Sequence, residues 1–147
     1  MARKTRLARA KALADKHCFA YFRGLPCVVC GTTYQTCGHH IIPKSRSLRH
    51  RHSTENIIPL CPSHHTFGGD LCAHSQSSLA VGRFLDWLKA NLPKQYQWVQ
   101  EHERDKCTFK AGEFEDIAQY WKDVTEQERS YEWMCRQAGL DPFRNEE

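Results

Sequence analysis

Two short cysteine- and histidine-bearing segments constrain this chain more tightly than its composition does. The first, "PCVVCG", sets Cys27 and Cys30 in a Cys-x-x-Cys pair followed by Gly31, the shape of a zinc knuckle. In the second, "LCPSHH", Cys61 and His64 stand three residues apart, so on a helical turn they share one face. Together the half-sites supply a tetrahedral set, and Cys27, Cys30, Cys61 and His64 are expected to hold a structural Zn2+. Cys37 is the rival fourth ligand. A redox Cys-x-x-Cys is the weaker reading, because no βαβ pattern surrounds the pair. Residues 27–75 hold few large apolar side chains for their length, and such a segment folds only with a metal to staple it.

The other cysteines lack such spacing. Cys18, Cys72, Cys107 and Cys135 are expected to be small buried hydrophobes. A chain of 147 residues, 40% hydrophobic and 26% charged, has an ordinary globular composition. The N-terminal stretch is basic without the apolar core of a secretory signal, so a cytoplasmic location is expected, and no apolar run is long enough to span a membrane. Charge is unevenly spread. Residues 1–52 carry 11 Lys and Arg against one acid, whereas the remainder carries 10 against 16. A basic front half is the footprint of a polyanion binder, with a solvated basic helix as the plainer explanation.

Three segments follow from the texture of the chain: a basic N-terminal helix over 1–24, a metal-stapled module over 25–76, and a helical extension over 77–147 that packs on the module. Leu7, Leu13, Phe19 and Phe22 mark the first helix only loosely, and Gly24 with Pro26 ends it. Ser77 or Ser78 is the expected N-cap of a helix presenting Leu79, Phe84, Leu85 and Leu88. Pro93 interrupts that helix, and a second resumes after it. "EFEDIAQYWKDV" and "EQERSYEWMCRQAGL" read as two more, the last closed by Gly139 and followed by Pro142. Trp87, Trp98, Tyr120, Trp121 and Trp133 are expected in the core.

His65 is left over once His64 is assigned to zinc, and the nearest unclaimed chemistry is the doublet in "CGHHIIPKS", His39 and His40. In this order the run "CVVC…GHHIIPKS…ENIIPLCPSHH" resembles the HNH endonucleases, also called His-Me finger or ββα-metal nucleases, over roughly residues 25–75. The zinc-stapled subtype is the closer likeness, and small proteins of this kind are common among bacteriophages. The resemblance implies an α+β fold: a small ββα-metal module with structural zinc, flanked by the N-terminal helix and the C-terminal helical extension.

It also implies roles. His40 would be the general base that deprotonates water, and Asn56 would hold its ring. His39 and His65 would bind a catalytic divalent cation, Mg2+, Mn2+ or another, against the phosphate. Many members have Asp where His39 stands, which leaves the choice of ion open. Some have a further His where this chain has Gly69, and His74 is the candidate third ligand in its place. His39 and His40 pose a geometric problem, since neighbours in a regular strand face opposite ways; an irregular backbone after Gly38 is expected to solve it.

Between the doublet and Asn56, Lys44, Arg46, Arg49 and Arg51 are expected to be exposed and to contact DNA phosphates, with a merely soluble loop as the alternative. His50 and His52 are not expected to be ligands. The function implied is metal-dependent hydrolysis of DNA phosphodiesters, by nicking and with low sequence specificity, from a monomer or a dimer. A non-catalytic zinc-finger module binding nucleic acid or protein is the alternative. It explains the zinc set and the basic half equally well, but not the ordered presence of His39, His40, Asn56 and His65.

Overall fold

A computed structural model describes residues 3–137, with side chains described through residue 129. The elements run α1 (Arg6–Phe22), β1 (Cys37–His40), β2 (Ile57–Leu60), α2 (Ser78–Asn91), α3 (Pro93–His102) and α4 (Ala111–Gln137). A short 3-10 turn, Thr54–Asn56, leads into β2, and one wide π-type turn, Ser63–Phe67, follows it. No described helix is long and apolar enough to cross a membrane. The fold is the expected α+β type: helices flank a two-stranded antiparallel sheet and a Cys/His group able to hold zinc.

The described residues divide into two compact units, one of residues 3–21 with 111–137, the other Phe22–Lys110. In the first, α1 buries Ala10, Ala14 and Cys18, spaced every four residues on one face, while Leu7 and Leu13 are exposed. On α4 the buried residues are Phe114, Ala118 and Trp121, again four and three apart. Arg6 grips Glu115 with two hydrogen bonds of 3.0 and 2.9 Å, and the Tyr21 hydroxyl donates to Glu128 at 2.9 Å. Both pairings rise together along the sequence, so α1 and α4 run parallel. The two helices expected over 113–140 are one element as far as Gln137, because between Gly112 and that point no glycine or proline stops the helix. Tyr120 is exposed rather than in the core; the Trp133 side chain, Cys135, Gly139 and Pro142 lie outside what is described.

In the unit Phe22–Lys110 the sheet pairs Cys37 with Leu60, Gly38 with Pro59, His39 with Ile58 and His40 with Ile57. A core of Cys27, Ile58, Leu60, Cys61, Phe84 and Leu88 joins the knuckle, β2 and α2, with Trp87 partly buried against it. On α2 the buried face is Ala80, Phe84 and Leu88, one residue every four; Leu79 and Leu85 point outward, contrary to the expected stripe. Ser77 is the N-cap, accepting from the Ala80 amide at 3.4 Å, and Pro93 opens α3 at its first turn, where a missing N–H costs nothing. Cys18 and Cys72 are fully buried as expected, and Cys107 only partly.

Candidate functional site

The knuckle begins at a left-handed turn. Gly31 has φ +76°, which a side chain would strain, and its amide bonds the Cys27 carbonyl at 2.8 Å. The Val28 amide donates to Pro59 at 3.0 Å, fastening the knuckle to β2. Across the fold, the amides of His64 and His65 both reach the Cys61 carbonyl, at 3.1 and 2.9 Å. Cys27, Cys30, Cys61 and His64 thereby bring their four ligand atoms within 4.8 Å of one another.

The spacing can be tested against zinc itself. Zn–S bonds of about 2.3 Å in a tetrahedron set sulfurs about 3.8 Å apart. Cys30 Sγ and Cys61 Sγ are 3.8 Å apart, and His64 Nδ1 lies 3.7 Å from Cys27 Sγ and 3.2 Å from Cys61 Sγ. Burial alone would raise the Cys27 thiol, but backbone N–H groups of Cys61, Cys30 and Val29 outweigh it and favour the thiolate. The donor set fits a structural zinc. Cys37, the rival, instead places its Sγ 3.3 Å from His65 Nδ1.

A second cluster collects His39, His65 and His74, whose ligand atoms also lie within 4.8 Å of one another. His65 comes from the wide turn and His74 from the segment folding back against it: the Ala73 and His74 amides bond the carbonyls of His64 and His65, both at 2.9 Å. The three rings meet edge to face with centroids 4.8 to 5.3 Å apart. His39 is buried, and its Nδ1 meets no hydrogen-bond partner. A buried polar atom left unpartnered costs about 1–3 kcal/mol, so an all-imidazole donor set around it fits a divalent cation. Burial first, then the neighbouring histidines, hold the His39 pKa down to about 3, and burial also lowers that of His65.

His40 solves the geometric problem without irregular backbone. The two neighbours pair regularly in β1, so their rings take opposite sides; His39 goes inward against Phe84, with centroids 5.7 Å apart. His40, half-buried, lines an open cavity of about 410 Å³ together with Gly38, Pro43, Lys44, Ser45, His65 and His74. Gly38 is needed for close approach, since a Cβ there would stand 2.8 Å from Ile57 Cγ2 and 3.2 Å from Phe22 Cβ. His40 Nε2 lies 2.8 Å from the Arg51 carbonyl. A carbonyl only accepts, so Nε2 carries the proton and Nδ1 the lone pair. Burial, opposed by that bond and reinforced by Lys44, Arg51 and His52, lowers the ring's pKa to about 4.

Asn56 does not hold the His40 ring. Fully buried, it accepts from the Ile42 amide and donates to the carbonyls of Ile42 and His50, at 3.1 and 3.0 Å. An amide side chain pairs both ways with backbone, and here it pins the loop that supplies the Arg51 carbonyl. Within that loop Lys44, Arg46 and Arg49 are exposed and Arg51 is half-buried, while Ile42, Ser47, His50 and His52 are buried. The loop is thus anchored, which its polar sequence concealed.

None of the curated proteins and none of the solved structures compared matches the chain. Residues 27–67 match the HNH endonuclease family model, across the knuckle, the histidine doublet, Asn56 and His65. That match, together with a Cys/His cluster able to hold a structural zinc, fits a zinc-stapled HNH endonuclease domain in this part of the chain.

Proposed function

We propose that the unit Phe22–Lys110 hydrolyses DNA phosphodiester bonds, nicking one strand at a time with little sequence preference. One observation carries the reading: His40 lines the same cavity as His65 and His74, with Lys44 at its side. His40 donates from Nε2 to the Arg51 carbonyl, and its Nδ1 lone pair accepts the proton of a water entering the cavity. A pKa of about 4 keeps the ring neutral, hence able to accept, throughout the neutral range. Lys44 draws a phosphate toward the cavity, and Arg46 and Arg49 give the loop exposed charge for backbone contacts. His39, His65 and His74 would hold a divalent cation, which when bound neutralises charge building on the phosphate and the leaving oxygen. Three neutral imidazoles bring no negative charge, a set better matched to nickel or cobalt than to magnesium. A single such site in one chain cuts one strand per event.

Supercoiled plasmid tests the reading. Wild-type protein should nick it with divalent ions, with Ni2+ or Co2+ outperforming Mg2+, and EDTA should stop the reaction. His40→Ala should lower the rate by about 100-fold or more, the usual weight of a general base, while leaving zinc content unchanged. Failure to nick with every ion, while DNA is still bound, would replace the nuclease by a non-catalytic zinc module.

A further inference from the structure

We propose that Asp105 and His50 form a positioning device for His40, which carries the working site past the family match to the segment following α3. The inference rests on the nuclease reading above. His50 is 7% exposed and engaged at both ring nitrogens: Nδ1 lies 3.0 Å from Ser53 Oγ, and Nε2 lies 2.9 Å from Asp105 Oδ2. Since a carboxylate accepts, Nε2 carries a proton toward Asp105, while Nδ1 pairs with the Ser53 hydroxyl, which can either give or take that hydrogen bond. Trp98 and His102 on α3 close over the ring edge to face, with centroids 4.7 and 5.4 Å away, and stack on each other at 4.6 Å.

The backbone of His50 is held as firmly. Its amide donates to Ser47 Oγ at 3.3 Å, and its carbonyl accepts from Asn56 Nδ2 at 3.0 Å. Ser47 Oγ in turn makes a long 3.5 Å contact with the Asp105 carbonyl. The next residue along the chain is Arg51, whose carbonyl accepts from His40 Nε2. One peptide unit therefore separates the clamped ring from the group that orients the base. Asn56 fixes that peptide from the sheet side, and Asp105 fixes it from the α3 side. A shift of the carbonyl by a fraction of an ångström rotates the His40 ring away from the water it must deprotonate, and misplacements of that order cost large factors in rate.

The full-length chain tests this with Asp105→Ala and Asp105→Asn. The Asp105 side chain is 36% exposed, so both variants should fold. In plasmid nicking at saturating divalent ion, Asp105→Ala should lower kcat about tenfold or more, with KM and zinc content unchanged and only a small fall in thermal midpoint from the His50 N–H left without its acceptor. Asp105→Asn keeps an oxygen that accepts from His50 Nε2 and should retain most of kcat. Nitrogen-15 NMR of the His40 ring, recorded without DNA, should show the Nε2–H tautomer in wild type and a mixture of tautomers in Asp105→Ala. That second readout separates two failures: a wild type that never cuts but shows the tautomer change removes the nuclease reading and keeps the device. Unchanged kcat in Asp105→Ala of a cutting protein overturns the proposal. So does a loss of kcat that arrives only with zinc release and a lowered thermal midpoint.

Discussion

Burial keeps the neighbouring imidazoles His39 and His40 uncharged at neutral pH, and this couples their chemistry to stability. In the unfolded chain a histidine takes its proton near pH 6.5, whereas the folded protein defers protonation to about 4 at His40 and about 3 at His39. Between those values the unfolded state binds more protons, so their contribution is full above about pH 6.5 and is lost as pH falls toward 4. The thermal midpoint should therefore fall between pH 7.5 and 4.5, and fall less steeply in His40→Gln, which has no proton to take up. Equal slopes would remove the buried imidazole from the account. At this scale the sequence was informative about identity and poor about partners. The zinc donors and the histidines at 39, 65 and 74 announce themselves by type and spacing. That Asn56 grips backbone, that Cys37 abuts His65, and that His50 reaches Asp105 55 residues away depend on loop path, which no local pattern encodes.

Among the elements, the sheet and the wide turn were legible because they carry the motif, but several helical faces were misread. Large apolar residues drew attention to Leu7, Leu13, Leu79 and Leu85, all exposed, while the buried faces of α1 and α2 rest on Ala10, Ala14, Cys18 and Ala80 beside Phe84 and Leu88. Small residues carry little hydropathy signal yet allow close packing, so periodicity weighted by size finds Phe22, Phe84 and Leu88 but misses the small residues beside them. The wide turn itself depends on a glycine that no spacing argument selected. A Cβ on Gly68 would collide with the Ser63 carbonyl, whereas one on the adjacent Gly69 would meet nothing within 4 Å. Gly68→Ala must open the turn that carries both His64 and His65, at a cost of about 3 kcal/mol, and should lower zinc content and nicking together. Gly69→Ala should change neither. Elemental analysis and a melting curve on the two variants distinguish them, and equal behaviour would contradict the close packing.

For the molecule as a whole, composition suggests a boundary at residue 76, where the Cys- and His-rich texture ends, and the compact unit that holds both Cys/His clusters runs from Phe22 to Lys110. Two independent packing relations explain why it reaches so far. Phe84 and Leu88 of α2 join Cys27, Ile58, Leu60 and Cys61 in one core, each worth roughly 2 kcal/mol of apolar burial, and Phe84 backs the His39 ring. Trp98, His102 and Asp105 cover His50 and so brace the loop beside His40. A bound zinc would add to the Val28–Pro59 bond in holding the knuckle against β2, but would supply neither of these. A fragment spanning 22–110 should therefore take up one structural zinc and melt in a single cooperative transition. A fragment spanning 25–76 keeps all four zinc donors and all three histidines of the second cluster, so it should still bind metal, yet melt broadly and without nicking activity. Calorimetry on zinc-loaded fragments measures the difference directly: an equally sharp transition in the shorter one would mean that metal ligation, rather than the core shared with α2 and α3, organises the site.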